Sequence, residues 1–227
     1  MNQFDQVIID IQHFGQTGKH LDSRGAGADI DGDGKISTWE REAELTPFYV
    51  HAASAVLTNA GVRTFILPIT LSTYMARAAH IAQSHRDAVK RWWKHVEAAP
   101  LVIPPAPQTY VVLAHLNAGP GDYGLTLWHG ERKADWFLAD KIAKELARLG
   151  ELEKAVVRRA EPIGDWQRAF YCLDMFKGQD PNIHIVLVEP WFLTNKKHQS
   201  LAGGDGPRRV GTAIANGILN TMKGIPL

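Results

Sequence analysis

Residues 183–190 read IHIVLVEP: an apolar run, broken only by His184, that stops at Glu189 and Pro190. A strand with one wet face alternates apolar and polar residues, whereas a strand covered on both faces does not. The run therefore predicts a central strand of a sheet sandwiched between helices. Working outward, YVVLAH (110–115) and QVIID (6–10) have the same character, and VRTFIL (62–67) and GLTLWHG (124–130) read as further strands. Between them lie helical patterns over 46–60, 72–85, 132–149 and 206–222. In the first, Thr46 is placed to cap the helix, Pro47 to take its first position and Gly61 to stop it. Strands alternating with helices predict an α/β fold: a three-layer sandwich with a mostly parallel central sheet and helices on both faces. RDAVKRWWKHVEAAPLVIPPAPQT, from Arg86, reads as an inserted amphipathic helix ended by prolines, its tryptophans packed on the sheet. The whole of 1–227 reads as one domain with insertions at 29–40 and 86–108.

Composition narrows the function. With 45% hydrophobic and 22% charged residues the chain is of ordinary globular type. A net charge of +1 gives no reason to expect nucleic acid as a partner. Its longest apolar runs are too short to span a bilayer, so no stable membrane insertion is expected. The start, MNQFDQVIIDIQHFG, has no charged segment leading an apolar one, and a cytosolic protein is expected. The single cysteine, Cys172, sits among apolar residues and reads as a buried thiol.

Residues 29–40, DIDGDGKISTWE, follow the spacing of a calcium-binding loop. A hard cation needs six to eight oxygens, and alternate residues of a tight loop point inward. Asp29, Asp31 and Asp33 supply carboxylates, the Lys35 carbonyl a further oxygen, Ser37 a contact through water, and Glu40 closes the shell. Gly34 permits the bend. The preceding segment is glycine-rich rather than helical, and no second loop accompanies it, so the loop reads as a structural clip rather than a sensor.

A second metal is suggested by His13 and His115, each at the end of an expected strand, with Glu189 ending a third. Sites in α/β sheets gather at that edge, and imidazoles with acids suit zinc. The motifs in order are IDIQH with Asp10 and His13, YMARAAHIA, LAHLNA with His115, Asn117 and Ala118, VLVEPWFLTN with Glu189, Phe192 and Asn195, and VGTAIANGI. Together they resemble the zinc-dependent N-acetylmuramoyl-L-alanine amidases of the third amidase family, found in cell-wall autolysins and phage endolysins. The resemblance implies zinc held by His13, a glutamate near the first helix, and His115, with Glu189 catalytic and bacterial peptidoglycan as substrate. Ile11, Gln12, Phe14, Pro190 and Trp191 depart from the family pattern beside the site.

Two glutamates compete for the zinc. Counting back from Gly61 selects Glu42, whereas matching EREAEL to the family pattern selects Glu40. Residues two apart on a helix point about 200° apart, so one ion cannot easily take both. With Glu40 required by the calcium loop, the assignment taken is Glu40 to calcium and Glu42 to zinc. Asn117 is expected either to orient a ligand or bind substrate, or to make a plain structural hydrogen bond. A monomeric endolysin, held in the cytosol until the membrane opens, is the biology this implies. The alternatives are a zinc carboxypeptidase or other amide hydrolase on free peptides, and a non-enzymatic calcium-binding wall module.

Overall fold

The structure, a computed structural model, describes residues 2–12, 27–68, 70–71, 73–99, 101, 103–130, 132–160 and 180–224. His13 and Cys172 lie outside the described residues. Among the described residues, six strands form one sheet: β1 (Gln6–Ile11), β2 (Arg63–Ile66), β3 (Thr109–Ala114), β4 (Tyr123–Trp128), β5 (Lys154–Arg159) and β6 (Ile183–Glu189). Their order across the sheet is β2-β1-β3-β6-β4-β5. Every adjacent pair is parallel except β4 with β6. The three strands with the most continuous apolar runs, β1, β3 and β6, are neighbours at the centre.

Among the described residues the α-helices are α1 (Glu42–Asn59), α2 (Tyr74–Ala98), α3 (Lys133–Leu146) and α4 (Gly206–Gly224). Alternation along the strands divides them between two faces. Val7, Ile9, Tyr110, Val112, Val186 and Val188 pack with α1, α3 and α4, while Ile8, Val111, Leu113, Ile185 and Leu187 pack with Ala78 and Ile81 of α2. This is the expected three-layer sandwich. Close approach of the helices on the first face depends on glycine. A Cβ on Gly211 would lie 2.4 Å from the Tyr49 carbonyl, and one on Gly217 would lie 2.5 Å from the Ile142 Cα.

Three local expectations are corrected. The first helix begins at Glu42 rather than at Pro47, which stands inside it. Arg41 is its N-cap, with an extended backbone, and its carbonyl accepts the Glu44 and Leu45 amides. Residues 86–98 are no separate excursion: they continue α2, a single 25-residue helix capped by the Thr73 hydroxyl. Its tryptophans are not buried on the sheet. Trp93 is 52% exposed, and the half-buried Trp92 donates its indole N–H to the Pro104 carbonyl at 2.9 Å. Finally, β5 (KAVVRR) carries charge at both ends and was not expected as a strand. No helix among the described residues is long and apolar enough to cross a membrane.

Candidate active site

Parallel pairing brings three strand ends together. Ile11 lies opposite Ala114, and Ala114 opposite Val188. Pairing continues one step further, with the Gln12 amide on the Ala114 carbonyl and the His115 amide on the Val188 carbonyl. His115 and Glu189 therefore stand side by side at one edge of the sheet. The Tyr49 hydroxyl, from α1, donates to the His115 carbonyl at 2.7 Å and helps fix that strand end.

Glu42, in the first turn of α1, reaches the same place. Its Oε1 lies 3.0 Å from His115 Nδ1 and accepts the Leu116 amide at 2.8 Å. Both residues are buried. Burial disfavours the imidazolium, but the Glu42 hydrogen bond, with the charges of Glu42, Glu189 and Asp10, outweighs it and holds the His115 pKa above its ordinary value. Glu189 is partly open to the edge, and its Oε2 accepts the Asn117 side-chain amide at 2.5 Å. Desolvation pushes the Glu189 carboxyl up to about 7, with the His115 charge opposing and the Glu42 charge adding.

Beneath these residues lies a buried ion pair. The Asp10 carboxylate meets Arg77 of α2, whose Nη1 also donates to the Ile11 carbonyl (3.1 Å) and whose Nε donates to Leu71 (2.8 Å). Gln12 donates to the other Asp10 oxygen. Burial raises the Asp10 pKa against the pull of Arg77. Residue 77 thus ties α2 to the end of β1, two residues before His13 in the sequence.

The donor chemistry fits zinc. Zinc takes imidazole nitrogens and carboxylate oxygens, and here a buried imidazole and a buried carboxylate stand side by side. The Leu116 amide orients the carboxylate, the kind of outer contact that fixes a metal ligand.

Glu40 turns the opposite way. Its Oε1 accepts the Ile30 and Asp31 amides, and its Oε2 accepts the Ser37 amide (2.7 Å) and hydroxyl (2.9 Å). These bonds, the Ser37 amide foremost, pull its carboxyl down to about 2. Ligand oxygens of Asp29, Asp31 and Glu40 lie within 4.8 Å of one another. Oxygens sharing one calcium lie at most about 5 Å apart, given bonds of 2.3–2.6 Å, so the cluster has the right size. Asp29 also accepts the Gly32 and Gly34 amides, and both glycines adopt positive φ. Asp33 is exposed and accepts the Lys35 amide, standing apart from that group of three.

No protein-family model matches the sequence, and no curated protein matches it. Solved structures do match. N-acetylmuramoyl-L-alanine amidase AmiC2 of Nostoc punctiforme superposes with a TM-score of 0.60 at 16% identity, over 97% of this chain and 98% of that chain. N-acetylmuramoyl-L-alanine amidase from Clostridium difficile 630 gives 0.64 at 13% identity, over 98% of each chain. This chain has the fold of these amidases. The catalytic domain of CD27L, an endolysin targeting Clostridia difficile, shares it too, with a TM-score of 0.57 at 14% identity over 95% of this chain and 97% of that one.

Within the amidase fold, Glu42, His115, Asn117 and Glu189 converge at the sheet edge. Asp29, Asp31 and Glu40 converge in the neighbouring loop. His13 lies outside the described residues. The Asp10–Arg77 pair and the Tyr49 hydroxyl were not assigned roles from sequence. Asp10 and Arg77 stood in quoted motifs, but nothing in either motif signals the partner, 67 residues away.

Proposed function

We propose that the chain is a zinc-dependent N-acetylmuramoyl-L-alanine amidase that cleaves the bond between N-acetylmuramic acid and the L-alanine of the stem peptide. The observation that carries this reading is the buried Glu42 carboxylate held against His115 on the edge where Glu189 stands. His13, Glu42 and His115 would hold the zinc. Bound there, the ion supplies Lewis acidity, polarising the amide carbonyl and acidifying water. Glu189 handles the proton: Asn117 holds Oε2, leaving Oε1 to take a proton from the attacking water and return it to the leaving nitrogen. Burial, which raises the pKa of Glu189 toward neutrality, suits it to both directions of transfer.

Calcium is the second proposed cofactor, held by the Asp29, Asp31 and Glu40 cluster, with Asp33, which stands apart from that cluster in this structure, the Lys35 carbonyl and Ser37 joining the shell on binding. Arg41 alone separates Glu40 from Glu42, so this site would hold the turn that delivers the zinc ligand. The setting proposed is a phage or prophage endolysin, acting as a monomer on bacterial peptidoglycan, in keeping with the CD27L match.

The test is digestion of purified sacculi with parallel metal analysis. Free N-terminal L-alanine should appear by mass spectrometry from sacculi, with one zinc per chain. Release of amino acids from free stem peptides instead, or no turnover with zinc bound, would overturn the assignment.

A further inference from the structure

Beyond Glu189 the chain is strapped to the loop that follows β3. The Asn117 amide donates to the Trp191 carbonyl (3.1 Å), and the Leu193 amide donates to the Asn117 carbonyl (2.8 Å). The Thr194 hydroxyl donates to the Gly119 carbonyl, and the Asn195 side chain to the Gly121 carbonyl. The Phe192 ring covers Gly121 so closely that a Cβ there would lie 2.4 Å from it. In a parallel ladder, alternate residues bond the same neighbour. The Phe192 amide, between two residues bonded to Asn117, points away from it.

That amide finds His198. It donates to Nδ1 at 3.1 Å, while Nε2 lies 3.0 Å from Asp122 Oδ1, and the imidazole is fully buried. Since Nδ1 accepts, the proton sits on Nε2 and is donated to Asp122. Asp122 is anchored in turn by Lys197, 2.6 Å from Oδ2. One imidazole, in one tautomer, therefore bridges the strap that begins at Glu189 and the loop that begins at Asn117.

We propose that His198, oriented by Asp122, is a positioning residue for Glu189. By fixing the Phe192 amide it sets the register of the strap, and so keeps Glu189 Oε2 on the Asn117 amide. The inference rests on the role given to Glu189 above. Simple filling of the space would not explain the pairing: an apolar side chain there leaves the buried Phe192 N–H without an acceptor.

The test compares His198→Phe with His198→Asn, whose Oδ1 stands where Nδ1 stood and can still accept the Phe192 amide. Two readouts apply: kcat and KM per zinc-loaded site, and the NMR signature of the Asn117 side-chain amide. In His198→Phe, kcat should fall by about tenfold or more while KM stays within about twofold. The hydrogen-bonded, exchange-protected Asn117 signal should be lost. His198→Asn should restore most of both. Asp122→Ala, which leaves the ring in place but frees it, should give a smaller loss of the same pattern and serves if His198→Phe does not fold. A core control with a similar loss of Tm, Ile214→Val, should move neither readout.

The proposal is overturned if the His198 and Asp122 variants lose only Tm while kcat and the Asn117 signal persist, or if His198→Asn is no better than His198→Phe. A wild-type protein inactive on sacculi would sink the amidase reading instead. The Asn117 signal, which needs no turnover, would still decide this inference.

Discussion

At the scale of single residues, the edge of the sheet holds two carboxylates in opposed settings. Glu42 is pinned by an amide and an imidazole, whereas Glu189 is only partly enclosed and holds its proton to about pH 7. Glu189→Gln should keep zinc bound and lower kcat/KM by roughly 10²–10⁴-fold, the usual contribution of a general base. Retention of wild-type turnover would remove Glu189 from the chemistry. The same residue leaves a mark on stability. Its pKa rises from 4.5 in the unfolded chain to about 7 in the fold, so the native state binds more protons between those values. Stability of the metal-free protein should therefore fall as pH rises through that window, by roughly 3 kcal/mol. Glu189→Gln should flatten the slope, which urea melts across the pH range would read. Arg77 carries a larger cost. Arg77→Met strands the buried Asp10 charge and should destabilise by about 3–5 kcal/mol, and adding Asp10→Asn should recover much of it.

At the scale of elements, the turn over 38–40 and the start of α1 act as one piece. Four donors converge on the Glu40 carboxylate, and two residues later Glu42 points to His115. Chelation of calcium, or Glu40→Gln, should lower Tm and weaken zinc retention together, measured by calorimetry and metal content in the same sample. Full zinc and an unchanged Tm without calcium would detach the loop from the site. Helix packing makes a separate demand. Gly217→Ala would drive a Cβ into the backbone of α3, costing about 1–3 kcal/mol, or roughly 3–10 °C in Tm. Gly211→Ala would press on Tyr49, whose hydroxyl holds the His115 carbonyl, so it should also reduce activity.

At the scale of the whole molecule, the strands that carry the site were the most legible in sequence. Burial on both faces writes a nearly continuous apolar run, and β1, β3 and β6 all show one. The edge strand β5, half-wet and charged, writes no such run. The start of α1 was hidden because Pro47 looks like a first helical residue, whereas the chain is held from Glu42 by contacts far away in sequence. The break assumed between 85 and 86 followed from a change in polarity, yet no glycine or proline interrupts α2 there. Asp122 and His198 were not legible at all. Their partnership depends on two loops meeting, and spacing along the chain does not record that. The sacculus digest tests the molecule as a whole, since it requires every strand end at once.

The strand order carries a consequence for biosynthesis. Among the described residues β6 follows every other strand in the chain, yet it inserts between β3 and β4. Until it arrives, the nascent chain exposes two unmatched strand edges, and direct association of β3 with β4 would close the slot that β6 must enter. The sheet therefore cannot close around β3 and β4 until residues 183–189 are available.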